Sequence, residues 1–494
     1  MKSRWNDTAA ARCPDELALR AYSSRLLGGD ASMVLHGGGN TSIKLNENAA
    51  AVLYVKGTGS DLARVDASSF TPLRLDGVQA VLGESELNNA AMMQALDACL
   101  ARRPAPRPSI ETLLHGGLPF RCVEHTHADA VLAAMNVDAI QRVHAEVYGD
   151  RAPLVPYCHS GHALARACME AFNARRTGNT IGLILAFHGV VAFGDDVRSS
   201  HENMIELVTR AEDYLRARGA WDVAQAPLTP PPAATQALAE LHEQVNATAG
   251  ASLVMQIATD TQCMTFVRRA DLSDISQQGP ATPQHAVYTK RVPMIGRDVQ
   301  AFAAAYRDYL DVHLGKAASA LMDAAPRIVL DPDVGVIAFG TTAREAQMAL
   351  EMYQHDIAII TRASAHGRYC AASPAAMALA GFDYGGYAAK PSQQINGLEK
   401  IRIKTIPYDG SSAHWKCSIS ARCRRAWRIC ASIRLPLSPT VLKPWWYAAH
   451  RRSAVRRPSA WRWKRCGCAT LRVRVFCRAW NKASQHLPRA VPRQ

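Results

Sequence analysis

The stretch CVEHTHADAV, residues 122–131, places two histidines one residue apart in an otherwise small and apolar run. In an extended strand successive side chains alternate between the two faces, so His125 and His127 would project from the same side. Two imidazoles on one face can chelate a metal ion, although two half-exposed strand histidines without a ligand are an equally good interpretation. The pattern alone therefore predicts a strand and leaves metal binding open.

Around this stretch, strand-like and helix-like patterns alternate. Apolar β-rich runs occur at AAVLYVKGTG, residues 50–59, and at TIGLILAFHGVVAF, residues 180–193. Helical periodicity occurs at DELALRAYSSRLL, residues 15–27, and at HENMIELVTRAEDYLRAR, residues 201–218. This alternation predicts a layered α/β domain over residues 14–225.

A proline-rich segment, QAPLTPPPAAT, divides the chain, and we interpret residues 226–235 as an extended linker. After it, long helical patterns surround short strands at PRIVLD and VGVIAFG. Residues 236–400 are therefore predicted to form a second, helix-rich α/β domain. No internal repeat is evident from inspection of the sequence.

The net charge of +15 is concentrated near the C-terminal end. After Asp409 there are 20 of the 57 basic residues, seven of the nine tryptophans and six of the 13 cysteines, but no acidic residue. This composition favours an aberrant, frame-shifted segment over residues 410–494. A basic, tryptophan-interleaved nucleic-acid arm and a solvated tail without function are the alternatives. The segment has no zinc-finger spacing and no aromatic RNA-binding signature, so nucleic acid is not an expected partner.

The remaining composition indicates a globular protein in a reducing compartment. The N-terminus has no apolar signal segment, and the longest apolar run, residues 181–193, is too short to cross a bilayer. The cysteines are scattered and have no paired spacing. We therefore expect a cytoplasmic protein without membrane contact.

Four further motifs surround the histidine pair. HGGGNTSIK, residues 36–44, and KGTGSDL, residues 56–62, are glycine-rich turns whose backbone N–H groups could approach an anion. RPSIETLLH, residues 107–115, places Glu111 just inside a helix start, where a carboxylate is also favoured by the helix dipole alone. In ILAFHGVVAFG a single His188 interrupts an apolar strand. Each motif alone is weak evidence for a site.

Together and in this order, GGGNTSIK, KGTG, PSIETLLH, VEHTHADA and FHGVVAFG resemble the class II aldolase/adducin family. The long interval before PSIET and the downstream SQQGPATPQHAVYTK and RIVLDPDVGVIAFG resemble its bifunctional rhamnulose-1-phosphate aldolase/alcohol dehydrogenase branch. The resemblance extends over residues 14–385. It implies a class II aldolase-like sheet flanked by helices, followed by the helix-rich second α/β domain.

The same resemblance implies a site. Zinc, or another divalent metal, would be held by His125, His127 and His188, which leaves one or two coordination positions open. Glu111 would be the catalytic carboxylate that transfers the proton. The substrate phosphate would be held by Asn40, Thr58, Gly59 and Ser109. Ile110 departs from the short fuculose-type aldolases, which carry a second serine at that position.

The implied activity is cleavage of a ketose 1-phosphate, of the rhamnulose-1-phosphate type, through a metal-stabilised enediolate. The alternatives are a sugar-phosphate dehydratase or 4-epimerase of the same family, or a non-catalytic adducin-like binding protein. Glu111 favours an aldolase or dehydratase over the epimerases, which carry Asp there, and adducin-like proteins have lost the metal histidines. The expected partners are a small phosphorylated sugar and further copies of the chain, as a tetramer by resemblance.

The dehydrogenase half of that branch is not evident in this sequence. The chain has neither a Gly-x-x-x-Gly-x-Gly turn nor a Tyr-x-x-x-Lys pair. We therefore expect no dehydrogenase activity and no NAD. His285, Thr289 and Lys290 could form a second polar site, but a structural turn is the favoured interpretation.

Overall fold

The computed structural model describes residues 1–224, 235–383, 402–404 and 416–418 of the chain. The described residues up to Asp383 belong to one compact unit, and the short segments 402–404 and 416–418 belong to another. Most of the predicted linker and of the predicted tail, residues 226–234 and 410–494 apart from 416–418, lies outside the described residues.

The first sheet has seven strands in the order β3-β2-β1-β4-β7-β6-β5. Neighbouring strands are antiparallel, except for β5 and β6, which are parallel. Every residue of the central strand β4 is buried. The strands are β1 Asn40–Glu47, β2 Ala50–Lys56, β3 Phe70–Arg74, β4 Cys122–Thr126, β5 Leu154–Val155, β6 Gly182–Leu185 and β7 Gly189–Gly194.

Helices cover both faces of this sheet, because its strands are apolar on both sides. The helices are α1 Asp7–Ala10, α2 Glu16–Gly28, α3 Leu75–Gly83, α4 Asn89–Ala98, α5 Thr112–Gly117, α6 Asp129–Met135, α7 Ile140–Val147, α8 His162–Arg175 and α9 Val197–Ala217. On one face, Val123 and Val191 belong to the same buried cluster as Leu113 of α5 and Leu164 of α8. On the other face, Val190 belongs to a second cluster, which includes residues of α6 and α9.

The second sheet has four strands in the order β8-β11-β10-β9, with β9 and β10 parallel. Its strands are β8 Val254–Ala258, β9 Met294–Ile295, β10 Ile328–Asp331 and β11 Gly335–Gly340. The helices of this region are α10 Thr235–Ala249, α11 Thr261–Val267, α12 Leu272–Ser276, α13 Pro283–Thr289, α14 Val299–Leu314, α15 Lys316–Ser319, α16 Ala343–Ser364 and α17 Pro374–Asp383. The predicted fold class, a helix-flanked sheet followed by a helix-rich α/β region, is confirmed.

Two local predictions differ from the structure. The apolar run at residues 180–193 is not one strand interrupted by a histidine but the hairpin β6–β7, with His188 in its turn. The long helical pattern at residues 298–322 breaks at Gly315, whose φ of 78° leaves the helical region. A left-handed conformation of this kind costs glycine little and ends the helix.

The structure shows a repeat of topology that inspection of the sequence does not reveal. The strands β4-β7-β6-β5 of the first sheet and β8-β11-β10-β9 of the second have the same order and the same directions. In each set the strand sequence GV-V/I-AFG is followed by a long helix, α9 in the first and α16 in the second.

The two sheets are joined through one apolar core. Helix α6, which directly follows β4, packs between α9 and α16, and Val131 and Ile357 belong to the same buried cluster. This arrangement places α13 of the second region beside residues 37–39 of the first, the glycine run of the motif HGGGNTSIK. Separately, Arg402–Lys404 (β12) and Lys416–Ser418 (β13) pair antiparallel. In the part of the chain that the structure describes, no helix is long and apolar enough to span a membrane.

Candidate metal centre

Three histidine side chains converge at the end of β4. His125 lies in this strand, His127 lies one residue beyond its end, and His188 lies in the β6–β7 turn. The Nε2 atoms of His125 and His127 are 3.0 Å apart, and the His188 ring centroid lies 4.9 and 5.2 Å from theirs. One ligand nitrogen from each ring lies within 4.8 Å of the others, and all three residues are buried.

Gly189 allows the turn to bring His188 this close. A Cβ atom at this position would lie 2.3 Å from the carbonyl oxygen of Thr126, at the end of β4. Only glycine permits such a close approach of two backbones. The pairing of Val190 with Thr126 then fixes the turn relative to the histidine pair.

The surroundings of His125 and His127 favour their neutral forms. Burial lowers the pKa of His125 to about 4 and holds the pKa of His127 well below its usual value. Nδ1 of His125 lies 3.0 Å from the carbonyl oxygen of Val190, which can only accept a hydrogen bond. Nδ1 therefore carries the proton, and the lone pair of Nε2 faces the other two rings.

Glu111 supplies a carboxylate beside these rings. Its Oε1 lies 3.2 Å from Nε2 of His188, and its Oε2 lies 3.6 Å from Nε2 of His125. Helix α5 begins at Thr112, so Glu111 directly precedes the helix rather than lying just inside it as predicted, and its side chain does not cap the helix. Burial raises the pKa of Glu111, but His125, His188 and a hydrogen bond from Asn40 outweigh that effect and hold the pKa well below its usual value.

A chain of hydrogen bonds fixes the orientation of this carboxylate. Asn40 Nδ2 donates to Glu111 Oε2 at 2.6 Å, and Asn40 Oδ1 accepts from Nε2 of His115. Nδ1 of His115 in turn accepts from the hydroxyl of Ser42 at 2.8 Å. Ser109 Oγ lies 3.4 Å from Asn40 Nδ2. Sequence reasoning did not select His115 or Ser42, although both lie within the quoted motifs.

The two remaining predicted residues, Thr58 and Gly59, lie in the exposed turn after β2. The Thr58 hydroxyl donates to the carbonyl oxygen of Pro108 at 2.8 Å, which attaches this turn to the segment directly before Ser109. Gly59 has a φ of 84° and open space around it. The structure thus brings Asn40 and Ser109 into contact, and places Thr58 and Gly59 on the adjacent surface.

The glycine run is held from beneath by a buried lysine. Lys56 Nζ donates to the carbonyl oxygens of Gly37 and Gly39, at 2.8 and 3.0 Å. Burial lowers the pKa of Lys56 to about 8. These bonds fix the course of residues 37–39 directly before Asn40, so Lys56 positions the run that leads into the site.

One residue beside the histidines comes from the second region. Gln284 Oε1 lies 2.6 Å from Nδ1 of His127, and Gln284 Nε2 donates to the carbonyl oxygen of Leu35 at 2.9 Å. Gly38 leaves room for this contact, because a Cβ there would lie 2.2 Å from Gln284 Oε1. Sequence reasoning missed Gln284, since no local pattern links residues 127 and 284.

The arrangement fits a divalent metal ion. Neutral imidazole nitrogens whose lone pairs face one another repel unless a cation lies between them, and three such nitrogens are the donor set of a catalytic zinc site with an open position. His125, His127 and His188 would therefore be the ligands, with Glu111 beside the open position.

The other polar residues of that second region serve packing. His285 Nδ1 pairs with Asp356 at 2.7 Å, and Thr289 donates to the backbone carbonyl of His285. Lys290 Nζ donates to the carbonyl oxygens of Asp323 and Ala325. These contacts link α13 to the rest of the second region, and they involve residues of a helix and its C-cap rather than of the turn that the sequence interpretation favoured.

Two family models match most of the described chain. Residues 19–215 match the class II aldolase and adducin N-terminal domain. Residues 232–378 match the second domain of class II aldolases. The first match contains the histidines and Glu111, and the second contains Gln284.

Individual proteins are similar over parts of the chain. The uncharacterized oxidoreductase YuxG of Bacillus subtilis (strain 168) is 28% identical over 397 residues, 75% of this chain and 57% of that protein. The chain thus spans just over half the length of this curated relative. A solved N-terminal class II aldolase domain from Thermoplasma acidophilum is 34% identical and covers 44% of this chain and 100% of its own, with a TM-score of 0.40. An l-fuculose-1-phosphate aldolase from Thermus thermophilus is 15% identical over 42% of this chain and 98% of its own, with a TM-score of 0.28.

Proposed function

We propose, from the premise that the chain belongs to the class II aldolase and adducin family, that it is a metal-dependent aldolase that cleaves a ketose 1-phosphate of the rhamnulose-1-phosphate type. One observation carries this proposal. Three buried histidines direct their nitrogens to one point, and an ionised, buried Glu111 lies beside two of them. A carboxylate beside such a histidine cluster is the arrangement that proton transfer at a metal-bound substrate requires.

The metal would act as a Lewis acid that stabilises the negative charge developing when the carbon–carbon bond breaks. His125, His127 and His188 would hold it in their neutral forms. Glu111 would transfer the proton at the substrate carbon, because its carboxylate is the base nearest to the open side of the three rings. Asn40, which is itself held by His115, would keep Oε2 of that carboxylate fixed, and Oε1, which lies beside His188, would exchange the proton.

The substrate phosphate would lie over the glycine-rich turns. Asn40 and Ser109 line the buried side of this region, and Thr58 and Gly59 line its exposed side. Backbone N–H groups of such turns bind anions well, and Lys56 adds positive charge beneath them. A small phosphorylated sugar is therefore the substrate class that we propose, and a homo-oligomer, a tetramer by family resemblance, remains our prediction for the assembly.

We propose no dehydrogenase activity for this chain, although one relative is named an oxidoreductase. That relative is longer, and the sequence of this chain has no Tyr-x-x-x-Lys pair and no Gly-x-x-x-Gly-x-Gly turn. These are the features with which a short-chain dehydrogenase binds a nicotinamide cofactor and transfers a proton.

The test is the substitution Glu111→Gln, with the exposed Glu86→Gln as the matched control. If Glu111 transfers the proton, the variant should retain its metal and cleave a ketose 1-phosphate about 10²-fold more slowly or worse. Release of dihydroxyacetone phosphate would be measured in a coupled assay, together with metal content. Wild-type turnover in Glu111→Gln would remove its catalytic role. A purified wild-type protein that dehydrates or epimerises the sugar phosphate without cleaving it would replace the aldolase by one of the alternatives.

A further inference from the structure

The side chain of Gln284 brings the second region into contact with the histidine cluster. This glutamine is the second residue of α13, and its amide lies between His127 and the glycine run. We propose that Gln284 is a positioning residue of the metal centre, which holds His127 in the tautomer and orientation that the metal requires. The inference deepens the proposed function and rests on it.

The direction of the hydrogen bonds follows from the partners. The amide nitrogen of Gln284 faces the carbonyl oxygens of Leu35 and His36, at 2.9 and 3.5 Å, and these oxygens can only accept. The amide oxygen must therefore face His127, so Nδ1 of His127 donates to it at 2.6 Å. With its proton on Nδ1, the ring presents the lone pair of Nε2 to the other two histidines.

The helix that carries Gln284 is itself held firmly. Thr282 caps it by accepting from the backbone N–H of His285, and Pro283 occupies its first position. The side chain of His285 pairs with the buried Asp356 of α16. Because α16 also packs against α6, the orientation of Gln284 is coupled to the core that joins the two regions.

The same function is served for His125 by a backbone carbonyl. Val190 accepts from Nδ1 of His125, so the two adjacent ligands are each oriented through the nitrogen that does not face the cluster. Such outer contacts fix the ring and raise the basicity of the ligand, and their loss costs about 10–100-fold in metal affinity or activity. For His127, however, the acceptor belongs to a segment 157 residues away. The second region is therefore part of the metal centre and not only an appendage to it.

The experiment compares Gln284→Met with Gln284→Glu. Methionine has a similar length but cannot replace the amide oxygen as an acceptor, whereas glutamate keeps an oxygen there. Zinc affinity would be measured by competition with a chromogenic chelator, and cobalt-loaded protein would report the ligand geometry by its visible absorption. We expect Gln284→Met to lose about 10–100-fold in zinc affinity with an altered cobalt spectrum, and Gln284→Glu to bind zinc at least as tightly as the wild type.

Two further variants keep the test decisive. Gln278→Met is the matched control, since the side-chain amide of Gln278 is exposed and donates to the carbonyl oxygen of Asp274 in its own turn, and it should leave zinc affinity unchanged. Gly38→Ala retains Gln284 but displaces its amide, because the new methyl group would lie 2.2 Å from Oε1, and it should weaken zinc binding even if Gln284→Met does not fold.

The outcomes separate this inference from the proposed function. Wild-type zinc affinity in Gln284→Met, or equal losses in the Met and Glu variants, would overturn the positioning role while leaving an aldolase that still binds metal. A wild-type protein that binds no zinc, cobalt or other divalent metal would overturn both proposals together.

Discussion

The strand β4 with its hairpin β6–β7 and the strand β8 with its hairpin β10–β11 have one architecture, but only the first carries the three clustered histidines. Gly194 pairs with Cys122 in the first sheet as Gly340 pairs with Val254 in the second, so the two sets of strands correspond residue by residue. The strand β7 begins with Gly189, and β11 begins with Gly335. A Cβ atom added at either position would lie 2.3 Å from a carbonyl oxygen of the neighbouring strand.

The metal ligands are absent from the second set. By this register His125 corresponds to Ile257 and the next ligand, His127, to Thr259. His188, which precedes the first glycine of β7, corresponds to Val334. The second sheet thus has the turn that would present three side chains to one point, but none of those three side chains binds a metal.

The neighbourhoods of β4 and β8 differ as well. In the first sheet β4 lies between β7 and β1, and its pairing with β1 places Asn40 opposite His125. In the second sheet β8 is an edge strand. The carboxylate of Glu111 comes from a segment between β3 and β4. The comparison shows that the two sets share a strand arrangement and a turn, and that Asn40 and Glu111, beside the histidines, come from a strand and a loop outside the shared set.

The largest difference should appear in metal content. We expect His127→Ala to reduce the metal of the purified protein from about one ion per chain to little or none after dialysis, because the loss of one of three ligands greatly weakens the chelate. The corresponding substitution beside the second sheet, Thr259→Ala, should leave the metal content unchanged, since Thr259 is exposed and is not one of the clustered histidines. Elemental analysis of both variants checks this expectation. Equal metal content in the two would remove the functional distinction between the sheets.

The next largest difference should be one of stability. Glu124, on the opposite face of β4 from His125, is fully buried and paired with the buried Arg20, and Ser23 and Ser200 also contact its carboxylate. Glu124→Ala would leave the guanidinium buried without its partner, at a cost of about 3–5 kcal/mol in the free energy of unfolding. At the corresponding position of β8, Gln256→Ala should change the free energy of unfolding by about 0.5 kcal/mol or less, because the Gln256 side chain lies near the surface.

Denaturant unfolding of the metal-free variants would measure both values. A double variant, Arg20→Met with Glu124→Met, should recover most of the lost stability, because apolar side chains of similar size need no charged partner. If Glu124→Ala were no more costly than Gln256→Ala, the buried ion pair would not be what distinguishes the two strands.

Much of the fold and part of the candidate site could be predicted from the sequence, because they depend on local patterns. The helices near residues 15–27, 201–218 and 343–364 follow from apolar periodicity and lie within a few residues of α2, α9 and α16. The shared face of His125 and His127 follows from the period of a strand, and the structure brings their nitrogens together. The convergence of His188 with them followed only from family resemblance.

The contacts that depend on long-range packing could not be predicted. Gln284 meets His127 across 157 residues, and His115 meets Asn40 across 75. Neither contact leaves a periodic signal, because a glutamine or a histidine in a helix has many possible partners. The roles of the phosphate-site residues Thr58 and Gly59 also remain predictions, since an exposed turn can serve a ligand or solvent equally well.

The smallest expected effect concerns what the two sheets share. Gly189→Ala and Gly335→Ala should each lower the free energy of unfolding by about 1–3 kcal/mol, because the added methyl group forces the backbone of the neighbouring strand to move. Gly335 also has a φ of 113°, which adds strain for alanine, so its cost should be at least as large. Only Gly189→Ala should weaken metal binding as well, because it moves the turn that carries His188.

The control for this pair is Gly178→Ala, a position with open space around it, where the change should be about 0.5 kcal/mol or less. Unfolding would be followed in the presence of a chelator, so that the loss of metal does not contribute to the measured stability of either variant. Zinc affinity would then be measured separately. If Gly335→Ala lowered the free energy of unfolding no more than Gly178→Ala, the close approach of Gly335 to β8 would not require glycine. The correspondence of the two hairpins would then be one of topology alone. If both variants were costly but only Gly189→Ala lost metal affinity, the same backbone turn would have a structural role in both sheets and a catalytic role in one.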